Sequence, residues 1–135
     1  MKYLVNVNVL AEPTKPVSLQ RVADWLRANR NDTVVGAVVL AEIWRGVDAL
    51  PKGRRKELLT AWFLELKAKL PCLDWTPETA MVWGPLVNQV KGAGFTIELK
   101  DTMIAATAKL YGLTVATRNV DDFTRCGVPV VNPFE

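Results

Sequence analysis

The sequence predicts an α/β fold in which a mainly parallel central sheet is flanked by helices. Short apolar, β-branched segments alternate along the chain with longer segments whose apolar residues recur at helical spacing. Helix-length segments between strands favour parallel pairing, because a parallel connection needs a crossover of roughly a dozen residues or more. Half of the 135 residues are hydrophobic and 23% are charged, which is typical of a single globular domain over residues 1–135.

The first half of the chain alternates predicted strands and helices. A strand is predicted from Tyr3 to Val9, where apolar and β-branched residues dominate, and the prolines that follow end it. Ser18 is expected to cap a helix whose apolar stripe begins at Leu19. The segment 33–36 predicts a second strand, and a helix is expected over about 38–47 directly after it.

The middle of the chain adds two predicted helices around a short strand. Apolar residues at helical spacing over 58–66 predict a helix that ends before Pro71. Residues 72–75 are expected to form a short strand. Thr76 then has the position of a cap before a proline, and the helix that follows is expected to continue to Gly92.

The C-terminal region completes the alternation. A helix is predicted over 98–111, with Gly112 as its C-terminal stop. Strands are predicted over 113–116 and 128–131. The carboxyl ends of parallel strands meet at one edge of a sheet, so the functional residues are expected there.

The composition narrows the possible chemistry. The chain has no histidine, and its two cysteines, Cys72 and Cys126, form no CxxC pair, which excludes Ser-His-Asp and Cys-His mechanisms and argues against a zinc site. No apolar run approaches the ~18 residues that span a membrane, and the N-terminus is a poor signal peptide, so a cytoplasmic location is expected. The net charge of +3 is compatible with a polyanionic partner.

Four polar residues follow strands or begin helices where an α/β sheet can bring them together. Asn6 ends the first strand, Glu42 lies in the helix after the second, Asp101 is in the first turn of a later helix, and Asp122 follows the fourth strand. Clustered carboxylates repel one another unless a cation is present, and oxygen ligands without His or Cys suit Mg²⁺ or Mn²⁺. Such an ion can activate water and bind a phosphate oxygen, which indicates a metal-dependent phosphodiesterase.

Each acid also has a simpler interpretation on the residues alone. An acid in the apolar stretch around Glu42 is costly unless it is paired, and spacing favours an ordinary ion pair with Arg45. Asp101 supplies favourable negative charge at a helix N-terminus. Asp122 can cap a short turn before Phe123. These alternatives remain open at this point.

Three segments carry a resemblance to a known family. MKYLVNVNVLAEP, VVLAEIWRGV and LKDTMIAATAKLYGLTVATRNVDDF, the last followed by GVPVVNPF, resemble the opening strand, the glutamate-bearing second motif and the C-terminal signature of VapC-type PIN-domain toxins. The resemblance runs from end to end. It implies a PIN-domain-like three-layer fold and a Mg²⁺- or Mn²⁺-dependent endoribonuclease that cleaves RNA. It also implies a cognate antitoxin that neutralises the toxin, and a homodimer.

The resemblance also implies the roles of individual positions. The catalytic and metal-binding positions would be Asn6, Glu42, Asp101 and Asp122. Asn8 matches the asparagine beside the first acid, and Thr117 matches a threonine near the site. The fourth acid is open between Asp122 and the position that Asn119 fills. Arg118, next to the site, is expected to contact RNA phosphates.

One position departs from the family pattern. The family has its first aspartate at position 6, which is asparagine here. An amide oxygen can still bind a metal, but the amide nitrogen cannot, and the group cannot act as a base. The substitution predicts weakened metal binding and little or no cleavage, with the fold intact.

Two other function classes compete with the nuclease interpretation. A non-catalytic PIN-fold binding module would keep antitoxin binding without chemistry, and persistent inactivity of Asn6→Asp would favour it. A signalling domain with a phosphorylatable aspartate ranks last, because Asn6 and Asn119 fill the strand ends where that aspartate would lie.

Overall fold

Five short parallel strands lie side by side in the computed structural model, which describes residues 1–135. They are β1 (Tyr3–Val5), β2 (Thr33–Gly36), β3 (Cys72–Leu73), β4 (Thr114–Ala116) and β5 (Val130–Val131). Their order in the sheet is β3-β2-β1-β4-β5. The central strand β1 pairs with β2 on one side and with β4 on the other, and Val5 is in register with Ala116. The predicted parallel sheet is confirmed.

Seven α-helices flank the sheet, which confirms the predicted fold class. They are α1 (Val7–Ala11), α2 (Gln20–Ala28), α3 (Ala37–Asp48), α4 (Arg54–Lys69), α5 (Pro77–Gly92), α6 (Leu99–Tyr111) and α7 (Val120–Arg125). Single 3-10 turns cover Glu12–Thr14 and Arg30–Asp32. Helix α6 packs against α5, α3 and α7. None of the helices is both long enough and apolar enough to cross a lipid bilayer.

The hydrophobic core is built from the central strands and from buried residues of all seven helices, of which α6 contributes the most. Leu4 and Val115 of the sheet are fully buried, and so are three alanines of α6, Ala105, Ala106 and Ala108. Alanine side chains let a helix backbone approach its neighbours closely. The N-terminal turn of α6, which carries Asp101, is therefore held in a fixed position beside the sheet.

Two predictions at the N-terminus are wrong. The strand β1 ends at Val5 rather than Val9, because Asn6 is the N-cap of a short helix and its side chain accepts a hydrogen bond from the Val7 N–H. Ser18 does not cap α2. Leu19 holds the N-cap position, and its own N–H donates to Oε2 of Glu12 at 2.9 Å.

Other local predictions are confirmed, and α7 was missed in the same way as α1. Thr76 forms a capping box with Thr79 ahead of α5, and Gly112 ends α6 in the left-handed conformation at φ +65°. The segment that contains Asp122 was predicted as a turn before Phe123, but it forms the first turn of the short helix α7.

Candidate active site

The candidate site lies where the strand order reverses, at the carboxyl ends of β1 and β4. The chain leaves β1 towards β2 on one side and leaves β4 towards β5 on the other, so a crevice opens between the two strand ends. Asn6 directly follows β1 and Thr117 directly follows β4. The topology therefore joins residues from opposite ends of the chain, as the sequence predicted.

The hydroxyl of Thr117 is the meeting point of the polar residues in this crevice. Thr117 is fully buried. Its Oγ1 accepts hydrogen bonds from Nδ2 of Asn6 at 3.1 Å, from Nδ2 of Asn8 at 3.2 Å and from the Asn119 N–H at 3.0 Å. Thr117 thus contacts Asn6, Asn8 and Asn119, all of which the resemblance places in or near the site.

The side-chain amides of Asn6 and Asn8 cannot flip without losing hydrogen bonds. Oδ1 of Asn6 accepts from the Val7 N–H at 2.8 Å, and Oδ1 of Asn8 accepts from the Arg118 N–H at 3.1 Å. The Thr117 oxygen therefore has two lone pairs for three N–H donors. The Thr117 hydroxyl proton has no acceptor among these three groups. A carboxylate at position 6 would accept that proton and leave two donors for two lone pairs. This hydrogen-bond network suits aspartate better than asparagine at position 6.

Two carboxylates and one amide form the next part of the site. Asp101 is 7% exposed in the first turn of α6, and Asp122 lies in the first turn of α7. Nδ2 of Asn119 donates to Oδ2 of Asp101 at 3.3 Å and to Oδ2 of Asp122 at 3.0 Å. Asn119 thus turns its nitrogen, which cannot bind a metal, towards both acids.

The electrostatic environment of Asp101 is unfavourable to its charged form. Burial raises the pKa of the Asp101 carboxyl to about 6, and the neighbouring charge of Glu98 adds to the effect. Glu42 and Asp122 also raise this pKa, whereas Lys100 lowers it. Three other carboxylates therefore act on Asp101, and a bound cation would relieve that repulsion.

Glu42 reaches the site from α3, but not with the partner that spacing favoured. Its Oε2 accepts a hydrogen bond from Nζ of Lys100 at 3.1 Å, so the expected pair with Arg45 is wrong. Its other oxygen, Oε1, is buried and has no hydrogen-bond partner. Lys100 also lies 3.5 Å from Oε2 of Glu98.

The donor set fits a hard divalent cation, although no preformed cage exists. No group of three or more Asp, Glu, Cys or His side chains is close enough together to hold a metal ion. Position 6 is an amide here, and Glu42 is held by Lys100. The unpartnered Oε1 of Glu42 and the mutual repulsion around Asp101 nevertheless match an oxygen-coordinated cation.

Arg118 is exposed beside the site. Its guanidinium carbon lies 3.8 Å from the centroid of the Phe134 ring, and Arg21 donates to the Phe134 carbonyl oxygen at 3.3 Å. The C-terminal residues therefore support the Arg118 side chain. Its contact with RNA stays a prediction.

Sequence reasoning missed two charged residues near the site. Glu12 is 3% exposed, and its pKa is lowered by the Leu19 N–H and by Lys15, whose Nζ lies 3.1 Å from Oε1. An acid at the end of a buried apolar run was the available signal. For Lys100, the signal was a cation in the first turn of a helix, where the helix dipole disfavours positive charge.

A well-formed cleft lies elsewhere. It has a volume of about 620 Å³ and is formed mainly by α4 and by the segment 30–33 that leads into β2. Its apolar lining consists of Leu10, Leu26, Trp62, Leu66 and Leu70. None of the candidate site residues borders it, so its size carries no information about the chemistry.

Comparison with known proteins agrees with this topology. A family model described as PIN domain matches residues 4–128. The chain is 35% identical to the toxin FitB of Neisseria gonorrhoeae, over 97% of each chain, and 30% identical to the VapC ribonuclease Y4jK of Sinorhizobium fredii, over 98% of this chain and 97% of that one.

A solved structure shares the whole architecture. The structure of FitAB bound to an IR36 DNA fragment superimposes with a TM-score of 0.89 at 32% identity, covering 98% of this chain and 96% of the other. The sequence matches and the shared fold span nearly the full length. The chain therefore belongs to the PIN-domain family, among its VapC-type toxins.

Proposed function

We propose that this chain is the ribonuclease toxin of a toxin–antitoxin pair and that it cleaves RNA phosphodiester bonds with the help of Mg²⁺ or Mn²⁺. The observation that carries the proposal is the convergence of Asn6, Asp101 and Asp122 with the Thr117 network at the ends of β1 and β4. Relatives named as VapC ribonucleases and as a toxin support it.

Each site residue has a distinct part in this proposal. Glu42, Asp101, Asp122 and the amide oxygen of Asn6 would hold the cation. When bound, such a cation supplies Lewis acidity that activates water and stabilises charge on a phosphate oxygen. The Asn8 and Thr117 side chains fix the position-6 side chain, and the exposed guanidinium of Arg118 is available to RNA phosphates.

We also propose that Asn6 impairs the enzyme. Replacing a carboxylate about 4 Å from a divalent cation by an amide removes roughly 8 kcal/mol of gross attraction at an effective dielectric of ~20, and relief of carboxylate repulsion offsets part of that loss. The unsatisfied Thr117 proton supports the same view, because it lacks the acceptor that an aspartate would provide.

The test is to compare the chain with its Asn6→Asp variant on a fluorescent single-stranded RNA in the presence of Mg²⁺ or Mn²⁺. We expect Asn6→Asp to cleave at least ~100-fold faster, a factor typical of a lost electrostatic contact at a reaction centre. The double variant Asn6→Asp with Asp101→Asn is the matched control and should lose that gain. Equal cleavage by the parent and Asn6→Asp would remove position 6 from the metal site.

A second candidate function is that of a non-catalytic binding module. The amide at position 6 and the neutralisation of Glu42 by Lys100 suit a binding module that keeps the fold without chemistry. Such a module would stay inactive as Asn6→Asp while it still bound an antitoxin tightly.

The proposed partners are a cognate antitoxin and a second copy of the chain. The similar solved structure of FitAB, bound to a DNA fragment, supports the first of these. Light scattering after co-expression with a candidate antitoxin would give the stoichiometry of the complex. A chain that stays monomeric and never co-purifies with the antitoxin would contradict both partner assignments.

A further inference from the structure

Lys100 is a cation beside the acidic residues of the site, and the proposed chemistry does not use it; a second cation, Arg125, lies 3.7 Å from Oδ1 of Asp122. The Nζ of Lys100 lies 3.1 Å from Oε2 of Glu42 and 3.5 Å from Oε2 of Glu98. Lys100 is also the sequence neighbour of Asp101, and its charge opposes the rise in the pKa of that carboxyl. A single ammonium group thus interacts with three of the carboxylates that surround the site.

The pairing occupies one oxygen of a carboxylate that a metal ion would also bind. Glu42 is largely buried, and its exposed fraction is 19% against 41% for Lys100. Its Oε2 is bound by Lys100 while its Oε1 remains without a partner. An ammonium group and a divalent cation that share one carboxylate repel each other over a few ångströms, so the two cations compete for Glu42.

The position of Lys100 in α6 does not favour helix stability, so the contact with Glu42 is the better explanation for a lysine there. It lies in the first turn of α6, where the helix dipole favours acids and disfavours lysine. Its hydrogen bond to Glu42 joins α6 to α3 across a sequence separation of 58 residues. The bond therefore holds Glu42 in place from a helix end at which the helix dipole disfavours lysine.

We infer that Lys100 is the internal counter-ion of the site, an inference that rests on the proposed function. As a positioning residue, it orients Glu42 in the metal-free protein, and its positive charge opposes a divalent cation at the same carboxylate. Lys100 therefore weakens the affinity for the metal and stabilises the metal-free fold. This effect adds to that of Asn6 and is independent of the charge at position 6.

The experiment measures Mn²⁺ binding by isothermal titration calorimetry, without RNA, in the full chain and in the Asn6→Asp background. Lys100→Gln should bind Mn²⁺ about tenfold more tightly in each background, because it removes one competing charge. Lys100→Arg keeps the charge and should bind as weakly as the parent. Lys67→Gln removes the same charge from an exposed position of α4 that has no ion pair, and should change the affinity less than about twofold.

A second readout is thermal unfolding in EDTA. There Lys100→Gln should melt at a lower temperature than Lys67→Gln, and added Mn²⁺ should raise its melting temperature more than it raises that of the parent.

The possible outcomes separate this inference from the proposed function. Tighter Mn²⁺ binding by Lys100→Gln, without tighter binding by Lys100→Arg or Lys67→Gln, supports the counter-ion role. If Asn6→Asp binds Mn²⁺ but Lys100→Gln has equal or weaker affinity than Lys67→Gln, the inference fails and the metal site stands. If no variant binds Mn²⁺, including Asn6→Asp, the proposed function fails and the counter-ion role fails with it.

Discussion

At the residue scale, the Thr117 hydroxyl accepts more hydrogen bonds than any other side-chain group of the site. It accepts from the side chains of Asn6 and Asn8 and from the Asn119 backbone. Loss of the hydroxyl would leave these buried or half-buried donors without an acceptor. Thr117→Val should therefore lower the free energy of unfolding by about 2–4 kcal/mol in urea denaturation.

The matched control for this change is Thr117→Ser, which keeps the hydroxyl and loses one buried methyl group. Its cost should be about 1 kcal/mol. If Thr117→Val proves as stable as Thr117→Ser, the hydroxyl is not an important acceptor in the folded protein.

Asp101 makes the stability of the metal-free protein depend on pH. Its pKa is raised from 3.8 to about 6, so between these values the unfolded chain releases a proton that the folded chain retains. The contribution of Asp101 to stability is complete below pH about 4 and is lost as the pH rises through about 6.

The prediction concerns the difference between the parent and Asp101→Asn in EDTA. This difference in the free energy of unfolding should favour Asp101→Asn increasingly from pH about 4 to 7, by up to about 3 kcal/mol. Chemical denaturation at several pH values measures it. Asp48→Asn, at an exposed position, is the control for the loss of a carboxylate. A constant difference for Asp101→Asn would mean that the carboxyl is not destabilised in the fold.

Residue identities in the site were predictable from the sequence, but their partners were not. The motifs located Asp101 and Asp122, and the structure joins them through Asn119. The partner of Glu42 could not be found from spacing within α3, because Lys100 belongs to a helix 58 positions away. Contacts between distant segments depend on tertiary packing, which local patterns do not contain.

At the element scale, the backbone conformation at the end of α6 determines which residue is favourable at position 112. Gly112 has φ +65°, and a Cβ added there would meet no atom within 4 Å. The only cost of Gly112→Ala is then the left-handed conformation itself, about 1 kcal/mol in the free energy of unfolding.

Gly46 is the control for that change, because it lies inside α3 and also has no atom within 4 Å of an added Cβ. Gly46→Ala should stabilise the protein by about 0.5–1 kcal/mol, since alanine is the better helix former. Equal effects of the two alanine substitutions in guanidinium denaturation would contradict the assigned conformations.

The elements that the sequence predicted correctly are those with strong local signals. Residues 33–36 form β2 with the predicted bounds, and Thr76 caps α5 as expected. The first strand was predicted too long, since Val7 and Val9 have β-branched side chains but follow a capping asparagine. Here the cap and the tertiary position of Thr117 override the strand propensity of the valines.

At the scale of the whole molecule, the C-terminus closes the fold beside the site. Phe134 is 8% exposed, and the Arg118 guanidinium stacks on its ring. Phe134→Ala should cost about 3 kcal/mol of stability, as expected for a buried aromatic side chain, and should free Arg118 from its support. Deletion of the exposed Glu135 is the control and should have little effect on the urea midpoint. Similar midpoints for the two changes would show that the tail does not contribute to the packed core.

The pairing of β1 with β4 has a consequence for biosynthesis. Tyr3 leaves the ribosome early, but its neighbour Thr114 and the hydroxyl that holds Asn6 are translated more than a hundred residues later. Nascent polypeptides released before that point lack a partner for one side of their central strand and have no completed crevice. A chain that ends before Thr114 would therefore lack the neighbour of β1 on one side and the hydroxyl that holds Asn6.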